Sequence, residues 1–344
     1  MGVDGLFDFF RKKYPDVFRT VYFHQFRGKS FAIDVSGLIW KFKVTNPSNW
    51  LTTFANFIFA LRRNQIHPIF VFDGKPPAEK ETERASREQQ RIQLKEKTAQ
   101  LREDLDKYYA EGEASQLLLE KSLELRPNTL ANVVHAPLLE QKYHKMNAQI
   151  NNFTDEDKQK LLTLFNLSGV RVLKAPSEAE TLCASLYHEG KVAAVVSGDS
   201  DVCVYQVGTF LYDISHFSET ATEVDFQRIL RLTGLTAAQF VDFCIMCKVD
   251  YNSRIPGIGP VKAFALVKEH GSIEAIGALG TYDITVLNHI KAREIFNTRQ
   301  SVMTEVICGP PNKIELYNFL IMNNSRIQYE AIEEAYAPPK IVFE

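Results

Sequence analysis

The stretch at residues 175–201 reads APSEAETLCASLYHEGKVAAVVSGDSD. Glu178 and Glu180 stand at its head, and Asp199 and Asp201 close it. Between them the spacing predicts a helix over 179–188, then a break at Gly190, then an apolar run over 192–196. That run has the length and β-branched content of a buried parallel strand. Open α/β sheets bind ligands beyond the carboxyl ends of their strands. Asp199 and Asp201 are therefore expected at the mouth of a site, on one side of the chain by their i, i+2 spacing. Four carboxylates gathered there repel one another, and a hard divalent cation such as Mg²⁺, which takes oxygen ligands, relieves the repulsion. A plainer reading is that Glu178 and Glu180 open a helix and favour its positive end. It leaves the two acids after the strand without a role.

Working outward, the strand-then-aspartate pattern recurs. Phe31-Ala-Ile-Asp34 is a short apolar run ending in a carboxylate, and Pro68-Ile-Phe-Val-Phe-Asp73 is another. A lone strand-end aspartate often serves as a cap. Three of them (Asp34, Asp73 and Asp199) together with Glu178 and Glu180 point to one shared crevice. A helix or turn from Ser36 presents Trp40, and residues 50–62 are apolar at helical spacing, as core packing requires. Strands alternating with helices predict an α/β fold around a mostly parallel central sheet flanked by helices.

Composition narrows the class. The 344 residues suffice for one large α/β domain or two smaller ones. Net charge is −2, so contact with nucleic acid has to come from local basic patches. Cys183, Cys203, Cys244, Cys247 and Cys308 form no disulfide framework, which suggests a reducing, intracellular setting. Cys244 and Cys247 make a single CxxC without a second ligand pair, so they read as core residues. No signal peptide is evident, and no apolar run approaches the ~20 residues of a membrane span.

Residues 75–126 are highly charged and rich in helix formers. Lys80, Arg84, Arg87, Arg91 and Lys95 recur at steps that share one helical face, with Glu79, Glu83 and Glu88 expected elsewhere. This is either a solvated, salt-bridged helix or a stripe facing a phosphate backbone. Residues 127–153 are poorly patterned and read as loop or short helices. A helix over 155–166 and a strand over 170–173 lead back to the opening stretch, and a short strand is expected at 209–212. Residues 237–249 look helical and precede Asp250. The run Ile255-Pro-Gly-Ile-Gly-Pro-Val-Lys-Ala263 then places Gly257 and Gly259 just before a helix. Such a turn offers bare N–H groups and positive helix-end potential to a phosphodiester; a simple turn between packed helices is the alternative. Residues 281–344 read as a helical tail with little chemistry, in which residues 319–322 form a docking stripe or plain core, and Pro338-Pro-Lys ends regular structure.

Together MGVDGL, FAIDVSGLIW, VFDGKPPAEK, APSEAE, GDSD and VDYNSRIPGIGPVKA resemble the flap endonuclease family, within the XPG-like structure-specific 5′ nucleases. The resemblance implies five segments: nuclease core at 1–74 and 154–235, a helical arch and cap insertion at 75–153, a helix-hairpin-helix DNA-binding module at 236–280, and a C-terminal helical segment at 281–344. It makes Asp34, Asp73, Glu178, Glu180, Asp199, Asp201 and Asp250 ligands of two Mg²⁺ ions, replaceable by Mn²⁺. Lys80 and Arg87 match the basic pair that steers and polarises the scissile phosphate. Gly2, Trp40, Lys43, Arg84, Arg91, Lys95, Gly257, Gly259 and Lys262 are implied DNA contacts. Trp40 stands where the family stacks a tyrosine on a base. Lys43 is the nearest substitute for an absent arginine. The main chain of Arg254, Ile255 and Ile258 matches a K⁺ site. The implied activity is cleavage of branched DNA at single-strand/double-strand junctions by a monomer, in replication and repair. A processive 5′ exonuclease, a junction resolvase, a non-cleaving scaffold, and a phosphohydrolase or RNase are the rival readings. Departures are Gly198 in place of an acid, a longer stretch between Asp73 and Glu178, and an end at Glu344 without the sliding-clamp peptide, which puts clamp binding in doubt.

Overall fold

The computed structural model describes residues 2–128, 130–150, 153–300, 304–307 and 309–338. Cys308 and the end of the Pro338-Pro-Lys run lie outside the described residues. Eight strands among them form one sheet: β1 Phe18–Tyr22, β2 Ser30–Asp34, β3 His67–Phe72, β4 Arg171–Lys174, β5 Ala194–Val196, β6 Phe210–Ser215, β7 Thr220–Val224 and β8 Thr304–Ile307. Their order is β1-β7-β6-β5-β2-β3-β4-β8. The five inner strands, β6-β5-β2-β3-β4, are parallel, and β1, β7 and β8 add antiparallel pairings at the two edges.

Alternation along the inner strands builds two cores. Ala32, Ile69, Val71, Leu173, Val195 and Phe210 face one layer; Phe31, Ile33, Phe70, Val172, Val196 and Leu211 face the other. A strand buried on both faces needs apolar residues on both sides, which Phe31–Ile33 of β2, Pro68–Val71 of β3 and all of β5 supply. The first layer includes helices Leu6–Lys13, Ala179–His188, Ala237–Cys247, Pro260–His270 and His289–Asn297. The second includes Val35–Thr45, Trp50–Arg63, Asp155–Leu167, Lys313–Met322 and Tyr329–Ala335.

The chain runs outward from β2 through β3 to β4, then returns to the other side of β2 as β5. This reversal opens a crevice at the carboxyl ends of β2 and β5. It sets Asp34, the last residue of β2, near the 197–201 loop that follows β5.

Several expectations need correction. Residues 136–150 form one helix, Ala136–Ile150, rather than loop or short pieces. It packs with the long helix Glu81–Glu111 and with Gln116–Leu125 around Leu101, Leu105, Leu118 and Leu139. Its pattern was faint because Leu139 is its one fully buried side chain among the described residues. The C-terminal segment is not merely helical, since β8 pairs antiparallel with β4. The strand expected at 209–212 appears as β6, whereas β1 and β7 escaped the reading: both mix polar with apolar residues, and β1 is an edge strand with one open side. Residues 319–322 divide their roles: Leu320 is buried, whereas Met322 is 83% exposed. Cys183, Cys203, Cys244 and Cys247 are buried free thiols.

Candidate active site

The ends of β2, β3 and β5, the start of helix Ala179–His188 and the loop after Ala237–Cys247 deliver the acids to one cleft of about 930 Å³. Asp34, Asp73, Glu178, Glu180, Asp199 and Asp250 line it, and Asp201 sits just behind them, buried. Three of the acids are held by local devices. Asp34 caps the helix that follows β2, accepting from Ser36 N–H at 2.9 Å, and also accepts from Ser197 Oγ at 2.9 Å. Asp73 accepts from Ser36 Oγ at 2.6 Å and from Ala179 N–H at 2.8 Å, which ties β3 to the start of helix Ala179–His188. Gly74 makes that approach possible: its N–H donates to Ser177 O at 2.6 Å, and a Cβ there would lie 2.0 Å from Ala175 O. Asp199 caps its own turn through Asp201 N–H at 3.1 Å.

The electrostatics are those of a site short of positive charge. Burial, reinforced by Asp73, pushes Asp34 from 3.8 up to about 7. Burial also raises Glu180, Asp199 and Asp201, with neighbouring carboxylates adding to the shift of each. Asp201 Oδ1 is buried without a hydrogen-bond partner. An orphaned anionic oxygen among all-oxygen donors suits a hard cation such as Mg²⁺ or Mn²⁺. Among the described residues no three side chains already converge at coordinating distance, so ion binding has to draw the carboxylates closer.

Two cations from the insertion close the rim. Lys80, at the end of a short turn before the long helix, pairs with Glu178 and lies 3.0 Å from Asp250. Burial alone would lower its pKa, but Glu178, Asp250 and Glu180 outweigh that and raise it. Arg87 donates to Asp250 Oδ1 at 2.7 Å. The basic face is not single-signed, however: Glu83 pairs with Arg87 at 3.1 Å and with Lys248 at 3.2 Å. Glu88 likewise pairs with Arg91 at 2.7 Å.

The remaining candidates divide. Gly2 abuts the site, for a Cβ there would fall 2.0 Å from Asp199 Oδ1. Trp40, 55% exposed, and Arg84 line the cleft. Lys43 does not line it; its ammonium pairs with Asp157 at 2.5 Å and lies over Trp50 and Phe153. Arg91 and Lys95 also stand outside the cleft. Lys95 borders a separate groove between the long helix and Ala136–Ile150.

The glycine turn lies apart from the acids. Gly257 has φ +73°, the left-handed region, whereas Gly259 is extended at φ −101° and precedes the helix that begins at Pro260. A Cβ at either meets nothing within 4 Å, so both offer open main chain. Lys262 is exposed beside them. Of the expected K⁺ carbonyls, that of Ile255 accepts Ile258 N–H at 3.1 Å. Arg254 reaches Asp4, fixing the turn to the N-terminal segment.

Sequence reasoning missed Ser36, Ser197, Gly74 and Tyr251. Two of these had a signal, since each serine stands two residues from a site aspartate, the spacing of a local side-chain cap.

Family models describing the XPG N-terminal domain and the XPG I-region match residues 1–94 and 169–250. A probable RAD2-like endonuclease of Invertebrate iridescent virus 6 is 30% identical over 331 residues, covering 86% of this chain and 79% of that protein. This chain belongs to the XPG-like family of structure-specific endonucleases. Flap endonuclease 1 of Saccharomyces cerevisiae (strain RM11-1a), at 32% identity, matches 80% of this XPG-like chain and 67% of its own length. The catalytic core of Rad2 in complex with DNA substrate superposes with a TM-score of 0.64 at 18% identity, covering 97% of this chain and 98% of that one, a likeness of fold.

Proposed function

We propose that this XPG-like protein is a Mg²⁺-dependent, structure-specific 5′ nuclease that cuts branched DNA close to a single-strand/double-strand junction. The convergence of six carboxylates from distant parts of the chain on one cleft, with Lys80 and Arg87 at its rim, carries this reading. The seven acids would hold two divalent ions, which supply charge neutralisation and an activated water for in-line phosphodiester hydrolysis. Among the described residues that line the cleft none is a histidine, so this lining offers no imidazole base. Lys80 and Arg87, gripped by Glu178 and Asp250, present positive charge to an entering phosphate. Trp40 offers an exposed aromatic face to a base at the rim. The turn at Gly257 and Gly259 would hold the duplex arm through its backbone, without reading sequence. Products would carry 5′-phosphate and 3′-hydroxyl ends.

The test is cleavage of 5′-labelled single-flap, double-flap, nicked and four-way DNA in Mg²⁺, with product lengths measured. Cuts within a nucleotide or so of the flap junction, abolished by EDTA, are expected. Preferential symmetric cutting of the four-way substrate would instead favour a junction resolvase. No cutting of any substrate in Mg²⁺ or Mn²⁺ would leave a binding scaffold.

A further inference from the structure

One buried side chain reaches the acids from outside the lining of the cleft. Tyr251 directly follows Asp250 and is 5% exposed. Its hydroxyl donates to Glu178 Oε2, while Lys80 pairs with the other oxygen of the same carboxylate. The Lys80 ammonium also lies 5.5 Å from the centre of the Tyr251 ring. Three parts of the chain thus meet on one side chain: the first turn of Ala179–His188, the loop carrying Asp250, and the foot of the insertion.

The ring itself is immobilised. Phe296 packs edge-on against it at 5.5 Å and against Tyr205 at 5.1 Å. Tyr205 in turn shares a hydrogen bond of 2.8 Å with Thr181, three residues beyond Glu178.

We propose that Tyr251 is a positioning residue: its hydroxyl fixes Glu178 in the orientation that receives a divalent cation, and its ring seats Lys80 at the rim. The proposal rests on the cation-dependent reading of the cleft. Hydrogen bonds that orient a metal-binding carboxylate commonly govern affinity by a factor of ten or more. A cation over an aromatic face gains from partial burial, as here.

Two variants separate the two roles. Tyr251→Phe keeps the ring and removes the hydroxyl; Tyr251→Leu removes both. Mn²⁺ binding to the DNA-free protein is measured by electron paramagnetic resonance of the free ion, with melting temperature as a check on folding. Tyr251→Phe is expected to raise the Mn²⁺ Kd by about tenfold, and its single-turnover cleavage rate should recover when Mn²⁺ is raised in proportion. Tyr251→Leu should cut more slowly than Tyr251→Phe even at saturating Mn²⁺. Adding Lys80→Ala to Tyr251→Leu should then slow it little further, because the two act as a unit. An unchanged or tighter Mn²⁺ Kd in Tyr251→Phe overturns the first role, and a fully multiplicative double variant overturns the second. If the wild-type protein binds no Mn²⁺, the cation-dependent reading of the cleft falls instead, which is a different result.

Discussion

Asp201, 4% exposed and with one oxygen unpartnered, is costly to the fold without a cation. Asp201→Asn should therefore abolish cleavage, leave DNA binding largely intact, and raise the melting temperature of the metal-free protein. Near wild-type cutting in saturating Mg²⁺ would remove Asp201 from the site. Asp34 gives the pH dependence. Its carboxyl titrates at about 7 in the folded protein against 3.8 ordinarily. Across that interval the folded state holds a proton that the unfolded chain has released, so metal-free stability falls as pH rises toward 7. In EDTA the protein should melt lower at about pH 8 than at about pH 5.5, and Mg²⁺ should narrow the difference. Thermal melts that are flat across this range would contradict the clustering of charge.

The insertion is the element whose character changed most on folding. The long helix Glu81–Glu111 buries little of itself, yet Leu101 and Leu105 join Leu118 and Leu139 in a small core of their own. Leu105→Ala leaves a void there, at a cost of about 2–5 kcal/mol. The loss should stay within residues 81–150, so limited proteolysis should cut the insertion faster while thermal unfolding of the sheet core is unchanged. Coupled loss of both would mean that the insertion is not a separate unit. On the same helix Arg84 lines the cleft, with no ion pair among the described residues. Arg84→Ala should flatten the salt dependence of single-strand binding by about 0.7 in the log–log slope, the value for one phosphate contact. An unchanged slope would mean that Arg84 meets no phosphate.

Across the whole molecule, the acid cleft and the glycine turn are joined by the N-terminal segment. Gly2 packs on Asp199, Asp4 receives Arg254, and a Cβ on Gly5 would stand 3.0 Å from Pro260. The turn is therefore held in a fixed relation to the acids. Gly259 is extended and faces open space, so Gly259→Val should fold normally. It should weaken binding of duplex-containing DNA by about tenfold, or ~1.4 kcal/mol, and change single-strand binding little. Gly257→Val, at φ +73°, should instead cost about 1–3 kcal/mol of stability. Wild-type duplex affinity in folded Gly259→Val would reduce the turn to a structural connection.

By itself the sequence determined the inner strands, their terminal aspartates and the glycine turn. Each is a local pattern: an apolar β-branched run, a carboxylate at its end, or glycines before a helix. It also placed Lys80 and Arg87 near the acids, through resemblance. Only the tertiary structure decided that Ala136–Ile150 is one helix, that β8 closes the sheet beside β4, and that Lys43 turns to Asp157 and away from the cleft. It likewise interleaved Glu83 with the basic stripe and brought Tyr251 to Glu178, 73 residues away in the chain. Edge strands, half-buried helices and ion pairs take their partners from distant segments. Their own residues are compatible with several neighbours, and packing around the strand reversal selects one.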